Sequence, residues 1–166
     1  MERPTFDVLG LLREPRLPAS VATTTERGNP ALATMWFVLA EDRLWFNSPD
    51  DGSRPTPFLT AARAGHDVAV MVATFDPPAD VRQVRMTGPA RLESRDGARV
   101  RRIYERYVPE WTEAWTAHAA STNFHLWSMS PKRGMAVAFP GLDDGSAVRW
   151  STAAALFGLE TSATID

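Results

Sequence analysis

The sequence contains no cysteine, and its 166 residues include a single lysine, Lys132. Without cysteine there is no disulfide, no thiolate nucleophile and no metal site built on thiolates. Positive charge is therefore carried almost entirely by arginine, a residue that suits the recognition of planar anions. The net charge is −2, so the composition lacks the basic excess that is typical of nucleic-acid-binding proteins.

Long hydrophobic runs are also missing: no apolar stretch approaches the length of a membrane span. The first residues lack the apolar segment of a secretory signal. His118 and His125 have no metal-binding spacing with a carboxylate. We therefore expect a soluble, cytoplasmic protein with no nucleic-acid partner, no membrane association and no metal site. The length predicts a single domain, residues 1–166, with a proper hydrophobic core.

Short segments rich in β-branched and aromatic residues, separated by turns, make up most of the chain. A bulge or bend is expected at Gly88-Pro89, within the longest of them. The predicted strands are residues 19–25, 31–39, 43–48, 67–73, 81–93, 123–130, 134–139 and 147–152. Helices are expected near the N-terminus and at residues 57–64, 98–108 and 110–120. Six to eight strands with a few helices indicate a small, mostly antiparallel barrel.

Residues 28–54 carry the candidate function. Gly28-Asn29-Pro30 predicts a turn, because glycine tolerates a positive φ and proline resists central strand pairing. Two strands then lead to Asp50-Asp51-Gly52-Ser53-Arg54, just ahead of a helix with Thr56 as its N-cap and Pro57 at its first position. Amides, a hydroxyl and a guanidinium at a helix N-terminus form a ready site for a phosphate.

Three pieces of the chain resemble one family, in the right order and at sensible spacing. Ser53-Arg54, followed by Leu59 and His66-Asp67, is similar to the Ser-Arg-Lys segment of pyridoxamine-phosphate-oxidase-like proteins. Arg82-Gln83-Val84, leading to Gly88 and Ala90, resembles the Arg-Gln-Val strand of that family. Its first hairpin resembles Gly28-Asn29-Pro30, Met35-Trp36-Phe37 and Trp45-Phe46-Asn47-Ser48. The resemblance covers roughly residues 19–92 and implies a mostly β fold with peripheral helices, an FMN-binding split β-barrel.

The resemblance also implies a homodimer with two cofactor sites at the subunit interface, and it assigns roles to eight residues. Ser53 and Arg54 would hold the FMN phosphate, while Asn47 and Ser48 would meet the phosphate and the ribityl chain. Gln83 would reach the flavin from the barrel. The backbone that bonds the pyrimidine edge of the ring would be that of Met35, Trp36 and Phe37. No side chain is expected to be catalytic, since the flavin would carry the chemistry.

The sequence departs from the family pattern at three positions. Pro55 stands where a lysine is expected, and the basic residues usual on the second strand fall at Ala33 and Val38. Two classes of function therefore stay open. The first is an FMN-dependent oxidoreductase acting on a small organic substrate, with coenzyme F420 as the alternative cofactor. The second is a barrel without a cofactor that binds a ligand or partner and catalyses nothing.

Overall fold

Nine strands pair into one sheet in the computed structural model, which describes residues 7–50, 52–53, 56–139 and 147–158. The strands are β1 (Ala19–Thr24), β2 (Pro30–Met35), β3 (Val38–Ala40), β4 (Arg43–Pro49), β5 (Asp67–Ala73), β6 (Arg82–Leu92), β7 (Phe124–Met129), β8 (Arg133–Ala138) and β9 (Val148–Trp150). The helices are α1 (Val8–Arg13), α2 (Pro57–Ala64), α3 (Gly97–Glu105), α4 (Glu113–Ala119) and α5 (Ala153–Phe157). Within these residues, no helix is long and apolar enough to cross a membrane.

All strand pairs are antiparallel, and the order across the sheet is β2-β1-β5-β6-β7-β4-β3. β8 pairs with β6, and β9 pairs with β8. The strand β6 holds the two halves together, because residues 83–89 pair with β5 while Ala90 to Leu92 pair with β7. The sheet curls into a half-open barrel with helices at its periphery. The predicted split β-barrel is thereby confirmed.

β6 runs unbroken through Gly88-Pro89, where a bulge or bend was predicted, and changes partner there from β5 to β7. A Cβ atom on Gly88 would lie 1.7 Å from the carbonyl oxygen of Ser130. Only glycine therefore lets the end of β7 approach the strand this closely.

One local prediction was wrong. The strand predicted at residues 31–39 is two strands, since Trp36 and Phe37 leave the sheet between β2 and β3. The apolar run of residues 67–73 forms β5, which alternates between buried and partly exposed residues because only one of its faces meets the core. After β9 the chain forms the helix α5, and residues 159–166 lie outside the described part of the chain.

Side chains of β4 alternate between two hydrophobic clusters, as the two-residue period of a strand requires. Leu44 and Phe46 point into the barrel, where the Phe46 ring stacks on Trp127 at 4.5 Å. Trp45 points the other way, into a second cluster with Ile103 of α3. β4 thus separates a barrel core from a smaller core beneath the helices.

Candidate functional site

A groove of about 910 Å³ lies between α2 and the turn that joins β1 to β2. Its helical wall is formed by Pro57, Thr60, Ala61 and Ala64, whose spacing places them on one face of α2. We call it the helix groove. Because α2 has 8 residues, this wall is about 12 Å long. The other lining residues are Thr24, Thr25, Glu26, Arg27 and Asn29 from the turn, Ser53 before the helix and His66 after it.

The local sequence determines where α2 begins and ends. The Thr56 hydroxyl accepts a hydrogen bond from the Leu59 N–H at 3.3 Å, and Pro57 occupies the first turn. Gly65 ends the helix with φ 69°, a left-handed conformation that glycine adopts without strain. These features match the predicted N-cap and first helical residue. They set Ser53 at the N-terminal end of the groove wall.

Asp50 precedes Ser53 by three residues, and its negative charge is balanced within the chain. Its carboxylate accepts a hydrogen bond from Arg63 Nη2 at 2.6 Å and another from the Gly52 N–H at 3.0 Å. The Arg63 bond, followed by the Gly52 bond, lowers the pKa of Asp50 below its ordinary value. The carboxylate is therefore ionised and paired. Asp51, Arg54 and Pro55 lie outside the described residues.

Positive charge enters the helix groove from an unexpected position, the turn between β1 and β2. The side chain of Arg27 lines the groove, and no residue that the structure describes pairs with it. Ala33, by contrast, packs against the barrel core, and Val38 is buried in the second cluster. Basic residues at these two positions would therefore not point into the helix groove, and their absence does not lower its positive charge.

A second groove, of about 890 Å³, lies on the outward face of the sheet. We call it the sheet groove. Its floor contains the small residues Ser20, Ala22 and Ala69, and Leu32 stands on its β2 side. Further residues line the opposite side: Met71, Arg85, Thr87, Arg133, Met135, Arg149 and Trp150. Small side chains between larger ones create the depression.

The two grooves follow one another along β1. Thr24 lines the helix groove, whereas Ala22 and Ser20 line the sheet groove. These three residues alternate along the strand and so share its outward face. Successive members are about 7 Å apart along the strand. A groove that contains hydroxyl, amide and charged groups beside α2 thus leads to a more apolar groove on the sheet.

The connection between β2 and β3 consists of Trp36 and Phe37, two of the predicted cofactor residues, and side chains after α3 cover it. The Trp36 ring stacks on Tyr107 at 4.9 Å and remains 38 % exposed. The Tyr107 hydroxyl accepts from the Phe37 N–H at 3.2 Å, and the Arg106 guanidinium donates to the Phe37 carbonyl. Met35 ends β2 beside this cluster. The Phe37 N–H could bond a flavin edge only by giving up its hydrogen bond to the Tyr107 hydroxyl.

Asn47 and Ser48, adjacent on β4, point to opposite sides of the strand. Asn47 Nδ2 donates to the Tyr104 hydroxyl at 2.7 Å, beneath α3. The Ser48 hydroxyl lies in the barrel, where it accepts from Trp127 Nε1 at 2.8 Å. Gln83 lies on the outward face of β6 and donates to the Met71 thioether at 3.0 Å, next to the sheet groove. Of the described residues predicted to bind the cofactor, Ser53 lines the helix groove and none lines the sheet groove.

The family model for pyridoxamine 5'-phosphate oxidase matches residues 10–138. This protein belongs to that family. No protein of curated function has a sequence that matches it. Family membership extends the resemblance from residues 19–92 to most of the chain.

Several solved structures share the fold of this family member. A heme storage protein from Vibrio cholerae is 15% identical, with a TM-score of 0.58 over 75% of this chain and 87% of its own. A heme binding protein from Mycobacterium smegmatis is 15% identical, with a TM-score of 0.66 over 94% of this chain and 61% of its own. An F420 reductase is 24% identical, with a TM-score of 0.54 over 81% of this chain and 98% of its own. At these identities the likeness concerns the fold alone.

The grooves bring forward residues that the family resemblance did not indicate, notably Arg27 and Arg85. A signal for Arg85 was present in the sequence. In Gln83-Val84-Arg85-Met86-Thr87, polar residues alternate with apolar ones, which is typical of a strand with one face outside the core. Nothing local marked Arg27, because its role depends on the distance between a turn and a helix 30 residues later.

Proposed function

We propose that this protein is an FMN-dependent oxidoreductase acting on a small organic substrate. The observation that carries the proposal is that the helix groove and the sheet groove lie one after the other along β1. The first offers hydroxyls, an amide and a guanidinium beside a helix N-terminus, and the second offers an apolar bed. FMN requires the same order, because its phosphate needs polar and positively charged groups while its planar ring, at the other end of the ribityl chain, needs an apolar surface.

The described residues fit the cofactor at its phosphate end. Ser53, Asn29 and Thr24 would contribute polar contacts, and the N-terminus of α2 would add its partial positive charge. Arg27 would offset the negative charge, while Arg63 holds Asp50 in an ion pair. Electron and hydride transfer is the chemistry that FMN supplies when it is bound. The chain would bind, orient and partly dehydrate its ligands.

A homodimer is part of the same proposal. Leu32 is 75% exposed and Phe75 is 83% exposed, while Phe139, at the end of β8, is 47% exposed. Large apolar side chains at this exposure favour a covering partner. A second copy of the chain, packed by two-fold symmetry, would cover them and would close the grooves from above.

Coenzyme F420 is the second candidate cofactor. The wall of the helix groove continues about 12 Å along α2, from the side of Ser53 to that of His66. This length exceeds what a single phosphate needs, and Arg27 lies along it. An anionic tail longer than that of FMN would therefore also find room here.

A titration of the purified full-length protein with FMN, followed by flavin fluorescence and by the visible spectrum, tests the proposal. F420 and haemin are titrated in parallel. We expect saturable FMN binding that Thr60→Glu weakens at least about tenfold, because the new carboxylate projects into the helix groove beside the phosphate. The matched control is Thr112→Glu, at an exposed position before α4. Absence of saturable FMN binding, or equal affinities of the two variants, would contradict the proposal.

A further inference from the structure

One cation of the sheet groove has no acidic partner. Arg85 lies on the outward face of β6, directly across from Met71 of β5 and from Met135 of β8. Its guanidinium contacts the Met135 sulfur at 3.9 Å. No carboxylate among the described residues pairs with it. A permanent positive charge therefore stands between two apolar, polarisable side chains.

The neighbouring cation, Arg133, is already engaged. Its Nε donates to the Thr87 hydroxyl at 3.2 Å, and its Nη2 lies 3.9 Å from the Asp67 carboxylate. The strand register places Thr87 opposite Arg133 in the row next to Arg85. Arg85 thus differs from Arg133 because its charge is not shared with an acid of the described chain.

The floor of the sheet groove beside Arg85 is mostly apolar and is made of small side chains. Across the sheet, Arg85 is followed by Met71 and then by Ser20, and Thr87 is followed by Ala69. The lines of paired residues that lead from Arg85 and Thr87 to β1 therefore end in small side chains. Ala22 is paired with both Ala69 and Leu32, which continues the apolar floor to β2. A flat apolar body would bury its surface on this floor. Its charged group would then reach the arginine side.

We propose that the sheet groove recognises an apolar monocarboxylate, whose carboxylate is bound by Arg85. This inference names the substrate class of the groove and rests on the proposed function. A guanidinium presents two parallel N–H donors that match a carboxylate. One cation without an acidic partner complements a monoanion. Without FMN, the body of the ligand lies on Ala22 and Ala69. When the flavin ring occupies this floor, the body of the ligand would lie on the exposed face of the ring.

The experiment compares 2-naphthoate with 2-naphthamide, two probes of the same shape that differ in charge. Binding to the full chain is measured by calorimetry, with and without saturating FMN. The methionine methyl signals are followed by NMR in a sample labelled at these methyl groups. The variants are Arg85→Gln, Arg85→Lys and the control Arg102→Gln, a change at an exposed position on α3.

We expect the naphthoate to bind about ten- to a hundredfold more tightly than the amide, the range of a charge-assisted contact. Arg85→Gln should bring the two affinities together, Arg85→Lys should keep part of the difference, and Arg102→Gln should change neither. The Met71 and Met135 signals should shift, while that of Met129, which is fully buried in the barrel, should not. Equal binding of both probes, or an unchanged preference in Arg85→Gln, would overturn the inference.

The cofactor titration separates this result from the proposed function. Failure of FMN to bind would contradict the oxidoreductase while the preference for the carboxylate, measured without FMN, still supported the assignment of Arg85. FMN binding without any preference for the carboxylate would overturn only the assignment of Arg85.

Discussion

The outward face of the sheet and the helix-covered side of β3 and β4 use their polar groups in opposite ways. On the covered side, the side chains of Asn47, Tyr104 and Tyr107 donate or accept within the chain. On the outward face, the one contact that the Arg85 guanidinium makes with the described residues is to a thioether, and Leu32 is 75% exposed. These three side chains of the covered side are paired within the chain, although two buried nitrogens of Arg99, on α3, have no hydrogen-bond partner among the described residues. The outward face, by contrast, leaves the Arg85 guanidinium and the Leu32 side chain exposed.

Arg106 shows how the covered side is held together. Its guanidinium donates to the carbonyls of Leu12 at 3.1 Å and Glu14 at 2.7 Å, and also to that of Phe37. It lies over the Phe37 ring at 4.5 Å. Burial lowers the pKa of Arg106 relative to its ordinary value, although it remains a cation at all physiological pH values. One side chain thereby joins α1, the β2–β3 connection and the segment after α3.

The largest effect is expected at the exposed aromatic residues of the proposed dimer contact. Introducing charges with Phe75→Asp and Phe139→Asp should weaken self-association at least about a hundredfold, because buried unpaired carboxylates are costly at an apolar contact. Light scattering across a concentration series measures it. The monomer should keep its melting temperature, since neither side chain belongs to the core. A wild-type protein that is monomeric at micromolar concentration would contradict the proposed dimer.

The second-largest effect is expected on the stability of the covered side, when Arg106 is changed. Arg106→Ala should lower the free energy of unfolding by about 3 kcal/mol, because several carbonyls lose their donor in a partly buried place. Chemical denaturation measures it, with Arg102→Ala as the exposed control. A loss no larger than that of the control would mean that this side is not tied together by the guanidinium.

Ser48 should give a smaller effect that separates a packing role from a cofactor role. Ser48→Ala leaves the Trp127 indole N–H without its acceptor in the barrel, which should cost about 1–3 kcal/mol of stability. The affinity for FMN should stay within about twofold of wild type. Calorimetric unfolding and the FMN titration check both. Stable Ser48→Ala protein with strongly weakened FMN binding would restore the cofactor role that the family resemblance implies.

The smallest effect concerns Asp50, beside the helix groove. Its lowered pKa means that the folded state favours the carboxylate, so the stabilisation is present above the ordinary pKa of about 3.9 and is lost as the pH falls through the lowered value. Arg63→Gln should raise the Asp50 pKa toward that ordinary value. NMR titration of the carboxyl carbon measures it, and identical midpoints in the two proteins would show that Arg63 is not the cause.

Local sequence was sufficient for much of the framework. Thr56, Pro57 and Gly65 define α2 through capping rules that involve only a few neighbouring residues. The apolar run of β5 was predicted with its bounds, Asp67–Ala73. The family was evident from motif order, as its model confirms. Such features depend on residues close together in the chain, and the backbone's short-range preferences are enough to establish them.

Tertiary structure decided how the framework is used. The break at Trp36 and Phe37 arises from Tyr107 and Arg106, about 70 residues later, which occupy the backbone groups of Phe37. The opposite orientations of Asn47 and Ser48 had meaning only once α3 covered one side of β4 and Trp127 the other. Arg27 and Arg85 became candidate binding residues through strand register and the approach of α2. Contacts between distant segments set these outcomes, and no local pattern in the sequence encodes them.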